Sequence, residues 1–178
     1  METITLNDKS FEPFITATEI ETIISTISNQ INKDEIEKPL FIAILNGSFL
    51  FAADLARKIT LPDTEMSFVK LASYQGMESS GEVKELVGLT ADISKRNIII
   101  IEDIIDTGNT LVAIKKLFTN KGIASFKVAT LLFKPESYNK DISIDYIGKS
   151  IPNDFVVGYG LDYDEIGRNL PHIYKLKN

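Results

Sequence analysis

Residues 98–111 read IIIIEDIIDTGNTL and decide the fold of this chain. The four isoleucines at the start are β-branched and predict a strand that is apolar on both faces, as in a parallel sheet covered by helices on each side. We expect the strand to end at Glu102 and Asp103, the chain to turn through residues 104–105, and a helix to open at residues 107–108. Ligands of open parallel sheets bind beyond the carboxyl ends of the strands, so this segment also predicts where a binding site lies.

The flanking segments alternate between short apolar strands and amphipathic helices. Thr16 and Glu19 form a capping box that opens a helix running to about Ile31. Gly122 is placed to close the helix that follows the deciding strand, in the C′ position. The other predicted elements are strands at residues 40–45, 66–71, 126–133 and 155–159, a helix at 49–59 and a short alternating segment at 85–90. This order indicates the α/β class, with a parallel sheet flanked by helices in a single domain over residues 1–178.

Composition excludes several classes of protein. Of 178 residues, 25 are acidic and 19 are basic, and the net charge of −6 argues against a nucleic-acid-binding or membrane-surface protein. Cysteine is absent and His172 is the single histidine, which excludes disulfides, thiolate zinc sites and multi-histidine metal sites. The longest apolar run, residues 40–45, is far below the about 18 residues of a membrane span, and the first ten residues lack a signal-peptide layout. We expect a soluble, cytoplasmic protein, with His172 at a helix end or on the surface.

The acids and the turn that follow the deciding strand suit a phosphorylated sugar. Glu102 and Asp103 can accept hydrogen bonds from vicinal hydroxyls or hold a divalent metal. Residues 107–110 (TGNT) offer backbone N–H groups, two hydroxyls and the positive end of a helix dipole, which together suit a phosphate monoester. The structural alternative is a helix capped by Asp106, with the acids merely solvated.

The sequence does not match the motifs of three other classes: P-loop proteins, dinucleotide-binding proteins and receiver domains. Residues 76–81 are spaced like a P-loop, but Glu82 and Val83 follow where Lys and Ser or Thr are required. The pair Gly158 and Gly160 lacks the third glycine of a dinucleotide fingerprint. A phosphoacceptor receiver domain would carry its acid pair near the first strand, not past the middle of the chain.

Residues 98–111 resemble the phosphoribosyl-pyrophosphate-binding motif of the type I phosphoribosyltransferases. The segments at residues 45–55, 73–74, 131–134 and 155–173 are similar, in the same order, to those of the hypoxanthine-guanine phosphoribosyltransferases. This resemblance implies an Mg²⁺-dependent enzyme of purine salvage that joins hypoxanthine, and guanine, to phosphoribosyl pyrophosphate. It further implies a small hood lobe built from the chain ends, and a homo-oligomer, either dimer or tetramer. The acidic charge, as above, predicts no nucleic-acid or membrane partner.

The resemblance assigns the sugar-phosphate end of the site. Glu102 and Asp103 would bind the ribose hydroxyls, directly or through Mg²⁺. The 5′-phosphate would lie on Asp106, Thr107, Gly108, Asn109 and Thr110, and Asp106 would also be the general base that takes a proton from the purine.

The purine, pyrophosphate and lid residues follow from the same resemblance. Lys134 would donate to the 6-oxo group, Phe155 would stack on the base, and the backbone of Val156 would face the 2-position. The remaining roles belong to Asp162 beside the purine with a second Mg²⁺, to Arg168, Asn46 and Gly47 at the pyrophosphate, and to Ser73 and Tyr74 in a lid. Taken singly, a Phe opening an apolar strand would be core, and a Lys before a Pro or an Arg in an acidic tail would be solvated.

Asn46 and Asn109 depart from the family pattern, because many relatives carry a cation at each position. Their loss leaves backbone amides and Mg²⁺ to carry more of the phosphate charge. The resemblance also predicts a strained or cis peptide bond at Asn46–Gly47 or immediately before it. Two alternatives stay open: a phosphoribosyltransferase-fold regulator that binds RNA, which would need a basic face, and an enzyme whose main base is xanthine.

Overall fold

The computed structural model describes residues 2–72 and 85–177, so Ser73 and Tyr74, the expected start of the lid, lie outside the described residues. In chain order the described elements are β1 (Ile4–Leu6), β2 (Lys9–Ile15), α1 (Ala17–Lys33), β3 (Pro39–Leu45), α2 (Phe49–Ala56), β4 (Glu65–Ala72), β5 (Glu85–Val87), β6 (Asn97–Ile105), α3 (Asn109–Thr119), β7 (Ser125–Phe133), β8 (Tyr146–Ser150), β9 (Val156–Val157) and β10 (Ile173–Leu176). Within these ranges, no helix is long and apolar enough to cross a membrane.

The central sheet has the strand order β5-β4-β3-β6-β7-β8. The five strands from β4 to β8 along this order pair in parallel, and β5 adds an antiparallel edge. Isoleucines of β6 point alternately to the two faces: Ile99 and Ile101 pack with α1 and α2, whereas Ile98 and Ile100 pack with α3. The predicted α/β class and the helix-covered parallel sheet are therefore confirmed.

A second sheet, which we call the hood, has the order β1-β2-β10-β9 and is antiparallel throughout. It joins the two ends of the chain, as expected. The prediction of a strand over residues 155–159 is wrong in extent, because only Val156 and Val157 form a strand, and this strand belongs to the hood. Gly158, Tyr159 and Gly160 all have positive φ, which turns the backbone out of the extended conformation.

The observed ends of β6 and α3 also differ from the prediction. β6 continues through Ile105 instead of turning at Ile104, because both residues pair with β7. α3 ends at a C-cap formed by Asn120, so Gly122, with φ +69°, lies one residue beyond the expected C′ position. The predicted helix at 49–59 is shorter and ends at Ala56.

The start of α1 is held by side chains from two distant parts of the chain. Thr16 is the N-cap, and its hydroxyl accepts from the backbone N–H of Glu19 at 3.1 Å while the Glu19 carboxylate accepts from the backbone N–H of Thr16 at 2.8 Å. His172, just before β10, accepts from the N–H of Ala17 through Nδ1 at 2.9 Å. The predicted capping box and the helix-end position of His172 are confirmed, and the imidazole ties the hood to the core.

Thr16→Ala removes the capping hydroxyl and is expected to lower the free energy of unfolding by about 1 kcal/mol, a typical loss for an N-cap. The midpoint of urea denaturation measures the change. Thr18→Ala is the matched control, because Thr18 is exposed in the same helical turn and caps nothing. Equal midpoints for the two variants would show that Thr16 does not stabilise the start of α1.

Candidate active site

The residues expected to bind ribose and phosphate surround one cavity of about 310 Å³ at the carboxyl ends of β3 and β6. Its lining comprises residues 102–111 together with Ile44, Leu45, Gly47 and Leu71. Parallel pairing of β3 with β6 aligns these strand ends, so the loop after β3 faces the acids of β6. The cavity lies where open parallel sheets bind their ligands.

Glu102 and Asp103 are two adjacent, buried carboxyl groups in the cavity lining. Burial raises the pKa of Glu102 well above its usual range, and the neighbouring charge of Asp103 adds to the shift. Burial also raises the pKa of Asp103 to about 6, although the backbone N–H of Ile104 donates to its Oδ1 at 2.9 Å and opposes the shift. Ionising both carboxyls is therefore unfavourable without a cation or hydrogen-bond donors from a ligand.

The loop after β3 packs against the side chain of Asp103 at Gly47. The Leu45–Asn46 peptide bond is cis, as expected for this segment. A Cβ added to Gly47 would lie 1.7 Å from Oδ2 of Asp103, and one added to Gly160 would lie 2.0 Å from the carbonyl oxygen of Gly47. The backbone contact at Gly160 excludes a side chain, and a side chain on Gly47 would displace the Asp103 carboxylate, so the loop is packed between β6 and the segment after β9.

The turn between β6 and α3 (residues 106–110, hereafter the phosphate turn) presents the start of α3 to the cavity. Gly108 is the N-cap residue, with φ +77°, and no side chain caps the helix. The structural alternative, in which Asp106 is the cap, is therefore wrong. The first N–H groups of a helix have no partner within the helix, so an uncapped start offers donors to an anion.

Lys134 and Asp106 meet at the end of the cavity. Lys134 follows the last residue of β7, and its backbone N–H donates to the carbonyl of Ile105 at 2.9 Å. Its Nζ lies 3.0 Å from Oδ2 of Asp106, with the lysine side chain 11 % exposed and the aspartate side chain 47 % exposed. The structure therefore contradicts the reading of Lys134 as an ordinary solvated lysine.

Phe155 and Val156 form the hood side of the site. The Phe155 ring is 46 % exposed and lies edge-on to Tyr163, with ring centroids 5.9 Å apart, so it is not a core residue. The carbonyl of Phe155 accepts from the N–H of Leu176, and Val156 is opposite Lys175. Because backbone groups alternate between the two sides of an antiparallel ladder, the N–H and C=O of Val156 point away from β10, on the open edge of the hood.

Asp162 and Arg168 form an ion pair close to Asp103. Nη2 of Arg168 lies 2.8 Å from Oδ1 of Asp162, and Nη1 donates to the carbonyl of Gly160 at 2.9 Å. Arg168 lowers and Asp162 raises the pKa of Asp103, which are opposing effects of the two charges on one neighbour. Asp162 also accepts from the backbone N–H of Glu165 at 2.8 Å.

The expected metal ligands do not form a protein cage by themselves. In residues 2–72 and 85–177, no three or more His, Cys, Asp or Glu side chains are arranged to hold a metal ion. Oxygen ligands from Glu102, Asp103 or Asp162 nevertheless match the chemistry of Mg²⁺, which binds one or two carboxylates and completes its shell with water and substrate phosphates. The donor set therefore fits Mg²⁺ that arrives with a phosphorylated substrate.

Sequence reasoning missed some residues that shape the cavity. Leu71 lines it from β4, and Gly160 covers the loop after β3. The Gly158–Gly160 pair was tested only as part of a nucleotide fingerprint, although paired glycines also signal a close backbone approach. Leu71 carries no such signal, because it reads as one more apolar strand residue.

Comparison with known proteins extends these observations to the whole chain. The model of the phosphoribosyl transferase domain family matches residues 15–164. The chain is 43 % identical over 170 residues to the hypoxanthine-guanine phosphoribosyltransferase of Staphylococcus aureus strain Mu50, covering 93 % of each protein. It is 45 % identical over 163 residues to that of Staphylococcus epidermidis strain RP62A, covering 89 % of each.

Solved structures agree with this assignment. A crystal structure of a hypoxanthine-guanine phosphoribosyltransferase from Bacillus anthracis matches with a TM-score of 0.82 and 36 % identity, over 93 % of this chain and 97 % of that one. A hypoxanthine phosphoribosyltransferase of Trypanosoma cruzi matches with a TM-score of 0.85 and 34 % identity, over 98 % of this chain and 95 % of the other. The resemblance noted in the sequence is confirmed, and the chain belongs to the phosphoribosyltransferase family, among the hypoxanthine-guanine phosphoribosyltransferases.

Proposed function

We propose that this protein transfers the 5-phosphoribosyl group from phosphoribosyl pyrophosphate to hypoxanthine and guanine, forming the nucleoside monophosphates in purine salvage. The observation that carries the proposal is the Lys134–Asp106 pair, 3.0 Å apart at the edge of the phosphate turn. A 6-oxopurine presents O6 and N7 side by side on one edge. An ammonium that only donates suits O6, and a carboxylate that accepts suits a protonated N7.

The reaction exchanges one bond at the anomeric carbon of the ribose. N9 of the purine forms the bond to C1′, the bond from C1′ to pyrophosphate breaks, and its electron pair leaves with pyrophosphate. The proton on N7 passes to the carboxylate of Asp106, which is exposed enough to reach the base. The transition state resembles an oxocarbenium ion, which the carboxylates of Glu102 and Asp103 stabilise electrostatically.

The two ends of phosphoribosyl pyrophosphate meet different groups. Its 5′-phosphate lies on the phosphate turn, where Thr107, Gly108, Asn109 and Thr110 supply backbone N–H groups and hydroxyls. Its pyrophosphate lies toward Asn46, Gly47 and Arg168. The support for this orientation is that the loop after β3 and the Arg168 segment meet at the Gly47–Gly160 contact, where Gly47 also lies against Oδ2 of Asp103.

Mg²⁺ would be held by Glu102 and Asp103 on the ribose side and by Asp162 on the pyrophosphate side, with substrate oxygens completing each shell. Bound there, the cation neutralises charge on the departing pyrophosphate. The side chain of Asp162 is already paired with Arg168, so the arginine holds this carboxylate in position for a ligand.

The base is enclosed from the hood. Phe155 offers an exposed ring for stacking, and the free backbone groups of Val156 read the 2-position. Backbone groups include both a donor and an acceptor, so they suit the 2-amino group of guanine and the 2-oxo group of xanthine alike. Ser73 and Tyr74 are assigned to a lid that excludes water, because water at C1′ would hydrolyse the sugar.

The cellular setting belongs to the same proposal. We assign the enzyme to the cytoplasm and to a homo-oligomeric state, a dimer or a tetramer, with small-molecule substrates as its ligands. Light scattering of the purified protein measures the mass directly, and a monomer at working concentration would contradict the oligomeric assignment.

The activity is tested with a panel of purine bases, phosphoribosyl pyrophosphate and Mg²⁺, followed by absorbance. We expect hypoxanthine and guanine to be converted and adenine to be left unchanged. Absence of turnover with every 6-oxopurine, in folded protein, would overturn the proposed function.

Asp106→Asn keeps the size of the side chain but removes the proton acceptor. We expect turnover to fall by about 10²–10⁴-fold with little change in the KM values, as for loss of a general base. Asp63→Asn is the control, because Asp63 is exposed in the loop between α2 and β4 and lies outside the cavity lining. Turnover within about threefold of wild type would exclude Asp106 as the base.

Lys134→Gln replaces a group that only donates by one that both donates and accepts. A donor that faces the amino group of adenine costs about 1–3 kcal/mol, so Lys134 should account for tenfold or more of the preference for 6-oxopurines. We expect kcat/KM to fall for hypoxanthine and the gap to adenine to narrow. Lys116→Gln, on the exposed face of α3, is the control. An unchanged hypoxanthine-to-adenine ratio in folded Lys134→Gln protein would mean that Lys134 does not read the base.

A further inference from the structure

The loop after β7, residues 134–142, packs against the phosphate turn through Tyr138 and Lys140. We propose that Tyr138 in this loop is a positioning residue: its ring holds the phosphate turn in the shape that binds the 5′-phosphate. This inference rests on the proposed function, because it assigns a role in binding phosphoribosyl pyrophosphate.

Tyr138 contacts the phosphate turn at Gly108, the residue of the turn that has a positive φ. A Cβ added to Gly108 would lie 2.5 Å from Cε2 and 3.0 Å from Cδ2 of Tyr138, so the edge of the ring occupies the place of a side chain. The stem of Lys140 closes the same space, with Cγ 3.0 Å from that position. Gly108 has φ +77°, a conformation that glycine adopts freely and can also leave freely, so an external contact is needed to hold it.

The ring itself is fixed. Its hydroxyl donates to the carbonyl of Ile142 at 2.6 Å, and its plane meets Phe133 edge-on with ring centroids 5.4 Å apart. The backbone N–H of Tyr138 donates to the carbonyl of Lys134 at 3.2 Å. Burial raises the pKa of Tyr138, in keeping with a phenol that is partly enclosed by protein.

Two residues that flank the phosphate turn belong to a buried cluster against which Tyr138 packs. Tyr138 contacts the buried cluster formed by Ile105, Leu111 and Val128. Ile105 ends β6 immediately before the turn, and Leu111 lies in the first turn of α3. Since no side chain caps α3, the contacts of Tyr138 with Gly108 and with this cluster would fix the directions of the N–H groups of the turn. Preorganised donors bind an anion without a further ordering cost.

The base-reading pair has its own support. Lys134 is held by the hydrogen bond to Ile105 and by the ion pair with Asp106, neither of which involves the Tyr138 ring. Asp106 is also the first residue of the phosphate turn, but Lys134 holds its carboxylate, so loss of the ring should weaken binding at the 5′-phosphate far more than binding of the base. A general loss of folding would weaken both.

The test compares Tyr138→Leu, Tyr138→Phe and the control Tyr146→Leu with wild type. Tyr146 is a buried tyrosine of β8 whose hydroxyl donates to Asp34 at 2.6 Å, so its replacement costs packing and a hydrogen bond away from the cavity. The measurements are the KM values for phosphoribosyl pyrophosphate and for hypoxanthine, and calorimetric binding of ribose 5-phosphate and of inorganic pyrophosphate.

For Tyr138→Leu we expect the KM for phosphoribosyl pyrophosphate to rise about tenfold, the size of one lost hydrogen bond to a charged group, with the KM for hypoxanthine within about twofold. Ribose 5-phosphate should bind correspondingly more weakly, and pyrophosphate as in wild type. Tyr138→Phe keeps the ring and should restore most of the affinity, and Tyr146→Leu should change stability without this pattern.

An unchanged affinity for ribose 5-phosphate and an unchanged KM for phosphoribosyl pyrophosphate in folded Tyr138→Leu protein would overturn the positioning role. Equal weakening of both KM values would also overturn it, because the effect would then be structural. These outcomes are distinct from failure of the proposed function, in which wild type itself converts no 6-oxopurine.

Discussion

Parallel pairing of β3, β6 and β7 is the constraint on which the rest of the site depends. Because the three strands are parallel, their carboxyl ends lie at the same edge of the sheet. The backbone hydrogen bonds between them then determine which of the following side chains are neighbours. The N–H of Lys134 extends the row by one bond, to the carbonyl of Ile105. A lysine 28 positions along the chain from Asp106 thereby becomes its neighbour. The register of β3, β6 and β7 therefore determines which functional side chains lie together at this edge of the sheet.

Local chemistry explains why the core of the fold was predictable. The four consecutive isoleucines at the start of β6, residues 98–101, satisfy both faces of a covered sheet, and Thr16 with Glu19 forms a capping box that needs no tertiary contact. The grouping of Glu102 and Asp103 with the phosphate turn was predictable for the same reason, since ten consecutive residues, 102–111, line the cavity. Their individual roles came from the family resemblance and not from the spacing.

The parts that sequence reasoning missed depend on contacts between distant segments. β1, β2, β8 and β10 gave no clear signal, because hood and edge strands are short and partly exposed. The early end assigned to β6 neglected its pairing with β7, which carries the strand to Ile105. Tyr138 reads as a polar-loop tyrosine until the fold brings it under Gly108. Propensity and spacing describe neighbours in sequence, whereas these features are set by tertiary packing.

The two-residue strand β9 has consequences for the motions of the purine side of the site. It is the outer strand of the hood and pairs with β10 alone, so nothing else in the sheet holds it when β10 separates. β10 in turn pairs with β2, and His172 at its start is bonded to α1. Within the hood, the backbones of Phe155 and β9 are therefore held through β10 alone, so a local opening of β10 would also loosen the strand that carries the stacking ring.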